Sequence, residues 1–215
     1  MNSFLLKGKL KYLLRSRYHK GYGVHSPFVF HLMTDTLECR YPYYCFEPIE
    51  DLRRTIKPAV RKQCLSAKYG RMLFRLICRF RPACMVEFGR GDGITAQYLQ
   101  HASQQMTGDY LDEVPSVKAV EAMLSRFTPD MAVFYPDLSA ADLRRALLTA
   151  IRDQGAKGKT DAVFVVFDIH RNPEKLTLWR EAVRCPNVSS CLDMNKVGII
   201  FFRPELEKRC YLYRY

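Results

Sequence analysis

Apolar residues follow two different spacings along the chain, and the two alternate after residue 82. Short apolar runs predict four strands, at about Cys84–Phe88, Asp109–Asp112, Met131–Tyr135 and Ala162–Asp168. Between these runs apolar residues recur three or four positions apart, which predicts helices that connect parallel strands. Two more apolar runs after residue 187 predict a hairpin, and the final "CYLYRY" predicts an edge strand. We therefore expect an α/β fold with a doubly wound sheet and an antiparallel edge.

The chain before this alternation is predicted to be helical. Residues 1–20 have the pattern of a basic amphipathic helix, which either packs on the core or a partner or binds a membrane surface. Ser26 and Pro27 suit the start of a second helix, because serine caps the first turn and proline fits within it. A further helix is predicted to begin near Glu47.

The segment 66–81 has the clearest helical spacing. Its apolar residues lie on one side, and its other side carries Lys68, Arg71, Arg75 and Arg79. The chain holds 34 lysine and arginine residues against 22 aspartate and glutamate residues, a net charge of +12 that favours polyanionic partners. Solvated helix faces would give the same composition. We expect this segment to open an α/β core, residues 66–215, after an N-terminal helical extension, residues 1–65.

A row of alternating glycines follows the first predicted strand in "MVEFGRGDGITAQYL". Gly89, Gly91 and Gly93 let the backbone turn sharply and approach a ligand at the start of a helix. A dinucleotide loop would need a small residue where Ile94 stands, and the sequence lacks the Gly-Lys-Ser/Thr ending of a P-loop. The acid followed by three alternating glycines resembles the first motif of class I S-adenosylmethionine-dependent methyltransferases. The alternative is a plain turn between a strand and a helix.

Further stretches extend this resemblance over nearly the whole chain. The chain is similar to an uncharacterised family of methyltransferase-like proteins common in Bacteroidetes in "GVHSPFVFHLMTD", "KYGRMLFRLI", "VEFGRGDGITAQYL", "FDIHRNPEKLTLW" and "GIIFFRPELEKRCYLYRY". The resemblance implies a Rossmann-type methyltransferase fold with S-adenosylmethionine as cofactor, and it implies no particular substrate. The family has one more β-α unit after the third strand, so we expect a core one unit short. The strand that ends at Asp168 would then lie directly beside the first strand.

The resemblance also implies roles in cofactor binding. Glu87 would hold the methionine amino end, directly or through water, and Asp112 would bind the two ribose hydroxyls. Asp137, after the third strand, is placed to accept from the adenine amine. For both aspartates the alternative is a place at the start of the following helix. The complete set of candidates for cofactor binding is Glu87, Phe88, Gly89, Gly91, Gly93, Asp112 and Asp137.

Asp168 and His170 follow the fourth strand, at the sheet edge where ligands bind in such folds. Methyl transfer is an in-line displacement that requires an aligned nucleophile, and an oxygen or nitrogen nucleophile can also require a base. We expect both residues to be catalytic, with a helix cap and a loop histidine as the alternatives. The spacing of Asp168, His170 and Asp137 does not support a metal site built from these three residues, so we expect no metal.

Composition bears on location and on the competing functions. Eight cysteines without a C-x-x-C pair, several of them in apolar runs, favour free thiols and a cytoplasmic location. No apolar run is long enough to span a bilayer. Three functions remain: a methyltransferase, whose acceptor is more readily a small molecule than a nucleic acid, an inactive relative that serves as a binding module, and an RNA-binding protein. Arg90 and Asp92 replace small or apolar residues of the family, and side chains that fill the space above the glycines would favour the inactive module.

Overall fold

A computed structural model describes residues 24–62, 64–103, 105–114 and 116–215. The basic helix predicted for residues 1–20 lies outside the described residues. The described chain forms a seven-stranded sheet with apolar cores on both faces. No helix in this part of the chain has the length and apolar character needed to cross a membrane.

The strands follow the apolar runs closely. The four predicted parallel strands begin and end within two residues of their expected bounds, and the hairpin and the edge strand are present. The strands are β1 (Cys84–Phe88), β2 (Thr107–Leu111), β3 (Met131–Phe134), β4 (Val163–Phe167), β5 (Ser190–Asp193), β6 (Val197–Phe201) and β7 (Arg209–Leu212).

The helices begin where capping residues stand in the sequence. Ser26, Ser116, Ser139 and Asn172 each accept a hydrogen bond from the backbone N–H three residues later, as N-caps do. A π-helical turn, Leu32–Leu37, continues the first helix. The α-helices are α1 (Pro27–His31), α2 (Phe46–Thr55), α3 (Pro58–Arg61), α4 (Ala67–Phe80), α5 (Gly93–Ala102), α6 (Val117–Arg126), α7 (Ala140–Lys157) and α8 (Pro173–Arg184).

The strand order is β2-β1-β3-β4-β6-β5-β7. The strands β1 to β4 are mutually parallel where they pair, β6 is antiparallel to β4 and β5, and β7 runs parallel to β5. Four parallel strands and a hairpin confirm the expected shortened core, and the carboxyl ends of those four strands meet at one edge of the sheet.

The predicted neighbour of β4 is wrong. We expected β4 to lie beside β1, but β3 lies between them and pairs with both. Open doubly wound sheets usually have the strand order 3-2-1-4-5-6. In the described part of this chain β3 takes the position of strand 4 of that order, and the position of strand 3, beyond β2, is empty. Burial is the physical reason: every residue of β3 is buried, whereas three of the five residues of β2 are exposed. A strand as apolar as β3 needs cover on both faces and both sides.

Alternating side chains of the central strands build the two cores. On one face Phe88, Phe134 and Phe164 pack beneath α6, α7 and α8. On the other face Val133 and Val165 pack beneath α1 and α4. Burial on both faces fixes the central strands rigidly, so that the loops at their carboxyl ends project from a firm support.

The basic side of α4 is partly used within the fold. Arg75 Nη1 donates to the carbonyl oxygen of Cys39 at 2.5 Å, and the Arg71 guanidinium lies 5.1 Å from the centre of the Phe46 ring. Two of the four cations thus hold the preceding segment against the helix. Lys68 and Arg79 remain exposed. This arrangement does not favour α4 as a continuous surface for nucleic acid.

Gly198 gives a test of the packing between β6 and α8. A Cβ on Gly198 would lie 2.3 Å from Cη2 and 2.5 Å from Cζ3 of Trp179, well inside contact distance. Gly198→Ala should therefore lower the free energy of unfolding by roughly 1–3 kcal/mol, as overpacking does. Urea unfolding of the purified protein measures it.

Trp179→Phe supplies the control for this prediction, because it removes the indole atoms that the new methyl group would strike. The double variant should then lose clearly less stability than the sum of the two single variants. Strictly additive losses would show that the contact between Gly198 and Trp179 is not the cause.

Candidate functional site

The chain turns sharply at Gly89, directly after β1. Its φ is +97°, and a Cβ there would lie 2.9 Å from Oδ1 of Asp137 and 3.1 Å from both Leu138 Cγ and Tyr135 Cβ. The Gly89 N–H donates to the carbonyl oxygen of Leu111 at 2.9 Å, which ties the turn to the end of β2. Both the backbone angle and the close packing therefore require glycine.

Asp137 supports the glycine loop from below. Its Oδ2 accepts a hydrogen bond of 2.8 Å from the backbone N–H of Arg90. Because β3 lies on the opposite side of β1 from β2, Asp137 and Asp112 flank the loop on opposite sides. This geometry favours a role for Asp137 in holding the loop, rather than the predicted role of accepting from the adenine amine.

Asp92 caps the helix that the loop opens. Its carboxylate accepts from Thr95 N at 2.8 Å, from Thr95 Oγ1 at 2.6 Å and from the backbone N–H of Leu65 at 3.1 Å. The first-turn N–H groups of Gly93 and Ile94 have no acceptors within the helix and are available to an anionic group. A Cβ on Gly93 would meet no atom within 4 Å apart from its chain neighbours.

Arg90 pairs with Glu113 at the border of the cleft. Its Nη2 lies 3.2 Å from Oε1 of Glu113, in a pair whose side chains are both more than two-thirds exposed. An ion pair this exposed stabilises the fold by no more than about 1 kcal/mol. Both Arg90 and Asp92 line the cleft at the loop, and each has a partner within the protein: Glu113 for Arg90 and the helix cap for Asp92.

A cleft of about 1170 Å³ lies above the loop and the ends of β2, β3 and β4. Gly91, Gly93, Asp112, Asp137 and Asp168 line it, as their predicted roles require. Three other predicted residues, Glu87, Phe88 and Gly89, do not line it. The ring of Phe88 is buried and stacks on Phe134 at 4.9 Å between centroids. A ligand in the cleft can therefore reach Phe88 through its backbone at most.

Glu87 lies beneath the loop in contact with Tyr135, whose hydroxyl donates to Oε2 of the carboxylate. The same Oε2 is 3.8 Å from the position that a Cβ on Gly91 would take, so the carboxylate borders the loop. Burial raises the pKa of Glu87 above its ordinary value of 4.5, the bond from Tyr135 lowers it, and the charge of Asp92 raises it. Burial also raises the pKa of Tyr135, so its hydroxyl remains a donor.

Asp168 adopts a left-handed backbone, with φ at +56°, directly after β4. Its N–H donates to the carbonyl oxygen of Lys196 at 2.5 Å, and its carbonyl oxygen accepts from the N–H of Arg171 at 3.0 Å. These two bonds hold the backbone in its unusual conformation. The carboxylate lines the cleft and forms an ion pair of 3.2 Å with Arg171.

His170 is held away from the cleft. Its Nε2 lies 2.8 Å from Oδ2 of Asp193, at the end of β5, and the two side chains are 17% and 7% exposed. His170 is not among the residues that line the cleft. The hairpin of β5 and β6 brings Asp193 close to His170 and so holds the imidazole outside the cleft. This contact favours a positioning role for His170 over the predicted catalytic role.

An aromatic wall that the motifs did not reveal completes the cleft. Tyr135 and Phe167 lie nearly parallel, 3° apart, with 6.2 Å between their centroids, and Tyr69 stands edge-on to Phe167 at 5.8 Å. Lys196, in the turn between β5 and β6, also borders the cleft. These residues come from separate elements, so local spacing carries no signal for them.

Histidine, cysteine, aspartate and glutamate residues do not gather in a group of three able to hold a metal ion anywhere in the described ranges.

No protein-family model matches the chain, and no curated protein matches it. The methyltransferase PaMTH1 of Podospora anserina, solved with S-adenosylhomocysteine, aligns with a TM-score of 0.58 at 11% identity, over 83% of this chain and 97% of that one. The methyltransferase MycE of the mycinamycin biosynthetic pathway aligns with a TM-score of 0.53 at 10% identity, over 76% of this chain and 55% of that one. The chain thus has the Rossmann-like fold of methyltransferases. Its resemblance to the Bacteroidetes family stays a prediction.

Glu87 predicts a pH dependence of stability. Because folding raises its pKa, the folded state binds more protons than the unfolded state above about pH 4.5, and stability falls as pH rises through that window. Glu87→Gln keeps an acceptor for Tyr135 but removes the titration. Relative to the variant, the parent should lose about 1.4 kcal/mol for each unit by which folding raises the pKa.

Urea unfolding of both proteins between pH 4 and pH 7 measures this difference. The gap should widen in favour of the variant as pH rises. Parallel profiles would show that Glu87 titrates in the folded protein as it does in the unfolded chain.

Proposed function

We propose that the protein is an S-adenosylmethionine-dependent methyltransferase. The observation that carries the proposal is the glycine loop after β1, which opens into a cleft that Asp112 borders from the end of β2. Ligands of doubly wound sheets bind at this edge, outside the carboxyl ends of the strands. Both fold neighbours, PaMTH1 and MycE, were solved with S-adenosylhomocysteine.

The residues at the loop fit the cofactor group by group. The N–H groups of Gly93 and Ile94, at the positive end of α5, suit the methionine carboxylate. Glu87, bordering the loop, suits the amino end, directly or through water. Asp112 has the carboxylate needed to accept from both ribose hydroxyls. Open space over Gly93 leaves room for the methionine chain.

Acidic side chains on this side of the cleft also suit the positive charge of the cofactor. Besides Asp112, the acids Asp92, Glu113, Asp137 and Asp142 border the cleft, and they outnumber the cations Lys62 and Arg90 that border it with them. When bound, S-adenosylmethionine supplies a methyl group on a positively charged sulfur, which leaves as a neutral thioether. A negative potential concentrates a cationic ligand in the cleft.

Asp168 is the candidate base. It borders the cleft after β4, and its carboxylate can accept the proton that an acceptor hydroxyl or amine loses as its bond to the methyl group forms. The half-buried ring of Tyr69 shields one wall from water and orients the acceptor, and the buried rings of Tyr135 and Phe167 pack behind that wall. His170 acts as a positioning residue, because its contact with Asp193 secures the segment after β4 against the hairpin.

The other two functions have less support. An inactive binding module would fit a loop filled by Arg90 or Asp92, and both side chains are held by other partners. An RNA-binding surface on α4 would need its four cations free, whereas Arg71 and Arg75 contact the fold.

Calorimetric titration with S-adenosylhomocysteine tests the proposal, and Asp112→Ala tests the site. The variant loses two charge-assisted hydrogen bonds, each worth roughly 1.5–3 kcal/mol, so its affinity should fall at least tenfold. Asp109→Ala is the matched control, because Asp109 lies on the same strand without bordering the cleft.

Two results would contradict the proposal in different ways. No binding by the parent would exclude the cofactor. Equal weakening by both variants would mean that a loss of charge, rather than a contact with ribose, lowers the affinity.

A further inference from the structure

The cleft continues past the glycine loop into a part with a different character. Tyr69, Phe167, Asp168, Arg171 and Lys196 border it there, and we call these five residues the acceptor half. In the sheet order, this half lies at β4 and β6, whereas the acids that suit the cofactor lie at β1, β2 and β3. A methyl acceptor must sit beside the cofactor, so this half is the place for it.

The two halves carry opposite charge. In the acceptor half the one carboxylate, that of Asp168, is already paired with Arg171 at 3.2 Å. Lys196 adds a positive charge that no carboxylate pairs with among the described residues. The half is therefore positive overall, which attracts an anionic group.

A backbone hydrogen bond places Lys196 beside Asp168. The carbonyl oxygen of Lys196 accepts from the Asp168 N–H at 2.5 Å. Lys196 is exposed, in the turn between β5 and β6, and it borders the cleft. Its ammonium group is therefore open to a ligand that lies next to the Asp168 carboxylate.

The half-buried ring of Tyr69 borders the same half of the cleft. Tyr69 follows Lys68 in α4 and contacts both Phe167, at 5.8 Å, and Tyr215, at 6.3 Å between centroids. Aromatic rings offer large flat surfaces on which another planar group can pack. Asp168, next to Phe167 in the chain, completes the arrangement with a base.

We infer that the methyl acceptor is a small molecule with a planar apolar group, packed against Tyr69, and an anionic group held by Lys196. This inference rests on the proposed function, because it names the substrate class of the same cleft. A carboxylate or a phosphate would serve, since an ammonium group recognises either as a point charge. The nucleophile would then face Asp168 at the end of β4.

A matched pair of probes tests the anionic subsite without requiring turnover. The acid 4-hydroxybenzoate and its neutral methyl ester differ in one charge, and ligand-observed NMR titration with the S-adenosylhomocysteine-saturated protein gives both affinities. The acid should bind roughly tenfold more tightly than the ester, as expected for one charge-assisted contact.

Lys196→Met keeps the length of the side chain and removes its charge. It should abolish the preference for the acid and leave the affinity for the ester unchanged. Lys118→Met is the control, because Lys118 is exposed on α6 and does not border the cleft. Far-UV circular dichroism establishes that each variant is folded.

The outcomes separate this inference from the proposed function. If the protein binds S-adenosylhomocysteine but binds neither probe, or binds both equally, the anionic subsite is wrong and the cofactor site stands. A preference for the acid that Lys196→Met leaves intact would also overturn the subsite. If the acid is preferred through Lys196 but S-adenosylhomocysteine does not bind, the subsite stands as an anion site and the methyltransferase proposal fails.

Discussion

The turn at Gly89 is the constraint on which the candidate site depends. Its positive φ bends the chain out of β1, and Asp137, Leu138 and Tyr135 press against it so closely that no side chain fits. The turn is bonded on both sides: Leu111, the last residue of β2, accepts from Gly89, and Asp137 after β3 accepts from Arg90. Two consecutive residues thus join the ends of three strands, and this junction forms the floor of the cleft.

The shortened sheet places this junction close to its edge. Because the strand that would lie beyond β2 is missing, β2 is an edge strand that pairs with β1 alone. Asp112, which follows β2, therefore lies at the edge of the sheet. Edge strands need protection from unwanted pairing, and the short, mostly exposed β2 has polar residues where a central strand would be apolar. The missing strand therefore leaves the cofactor side of the cleft at an open sheet edge. The acceptor half lies at β4 and β6, and both of these strands have a neighbour on each side.

Local patterns in the sequence were sufficient for the elements but not for their neighbours. Ser116, Ser139 and Asn172 mark helix starts through their own hydrogen bonds, and the glycine loop is recognisable from seven consecutive residues, Glu87 to Gly93. The place of β3 depends on which strand covers it, and one signal was available: "MAVF" is apolar throughout, whereas "TGDYL" is not. The contact of His170 with Asp193 and the backbone bond between Asp168 and Lys196 arise from the folding of distant segments, on which local spacing has no bearing.

Asp168 connects the backbone of the acceptor half with its chemistry. Three non-glycine residues in the described ranges have a positive φ, and of these Asp168 alone borders the cleft. A glycine would adopt the same conformation at lower cost, and a helix cap would not require it, since Asn172 caps α8. Backbone conformations of this kind gather at functional sites, where surrounding contacts hold them. Here the contacts are the backbone hydrogen bonds of Asp168 with Lys196 and Arg171. Lys196, which would bind the anionic group of the acceptor, therefore also holds Asp168, the candidate base, in place. A ligand that draws on the charge of Lys196 would therefore lie beside the Asp168 carboxylate, which is the arrangement that deprotonation during methyl transfer needs.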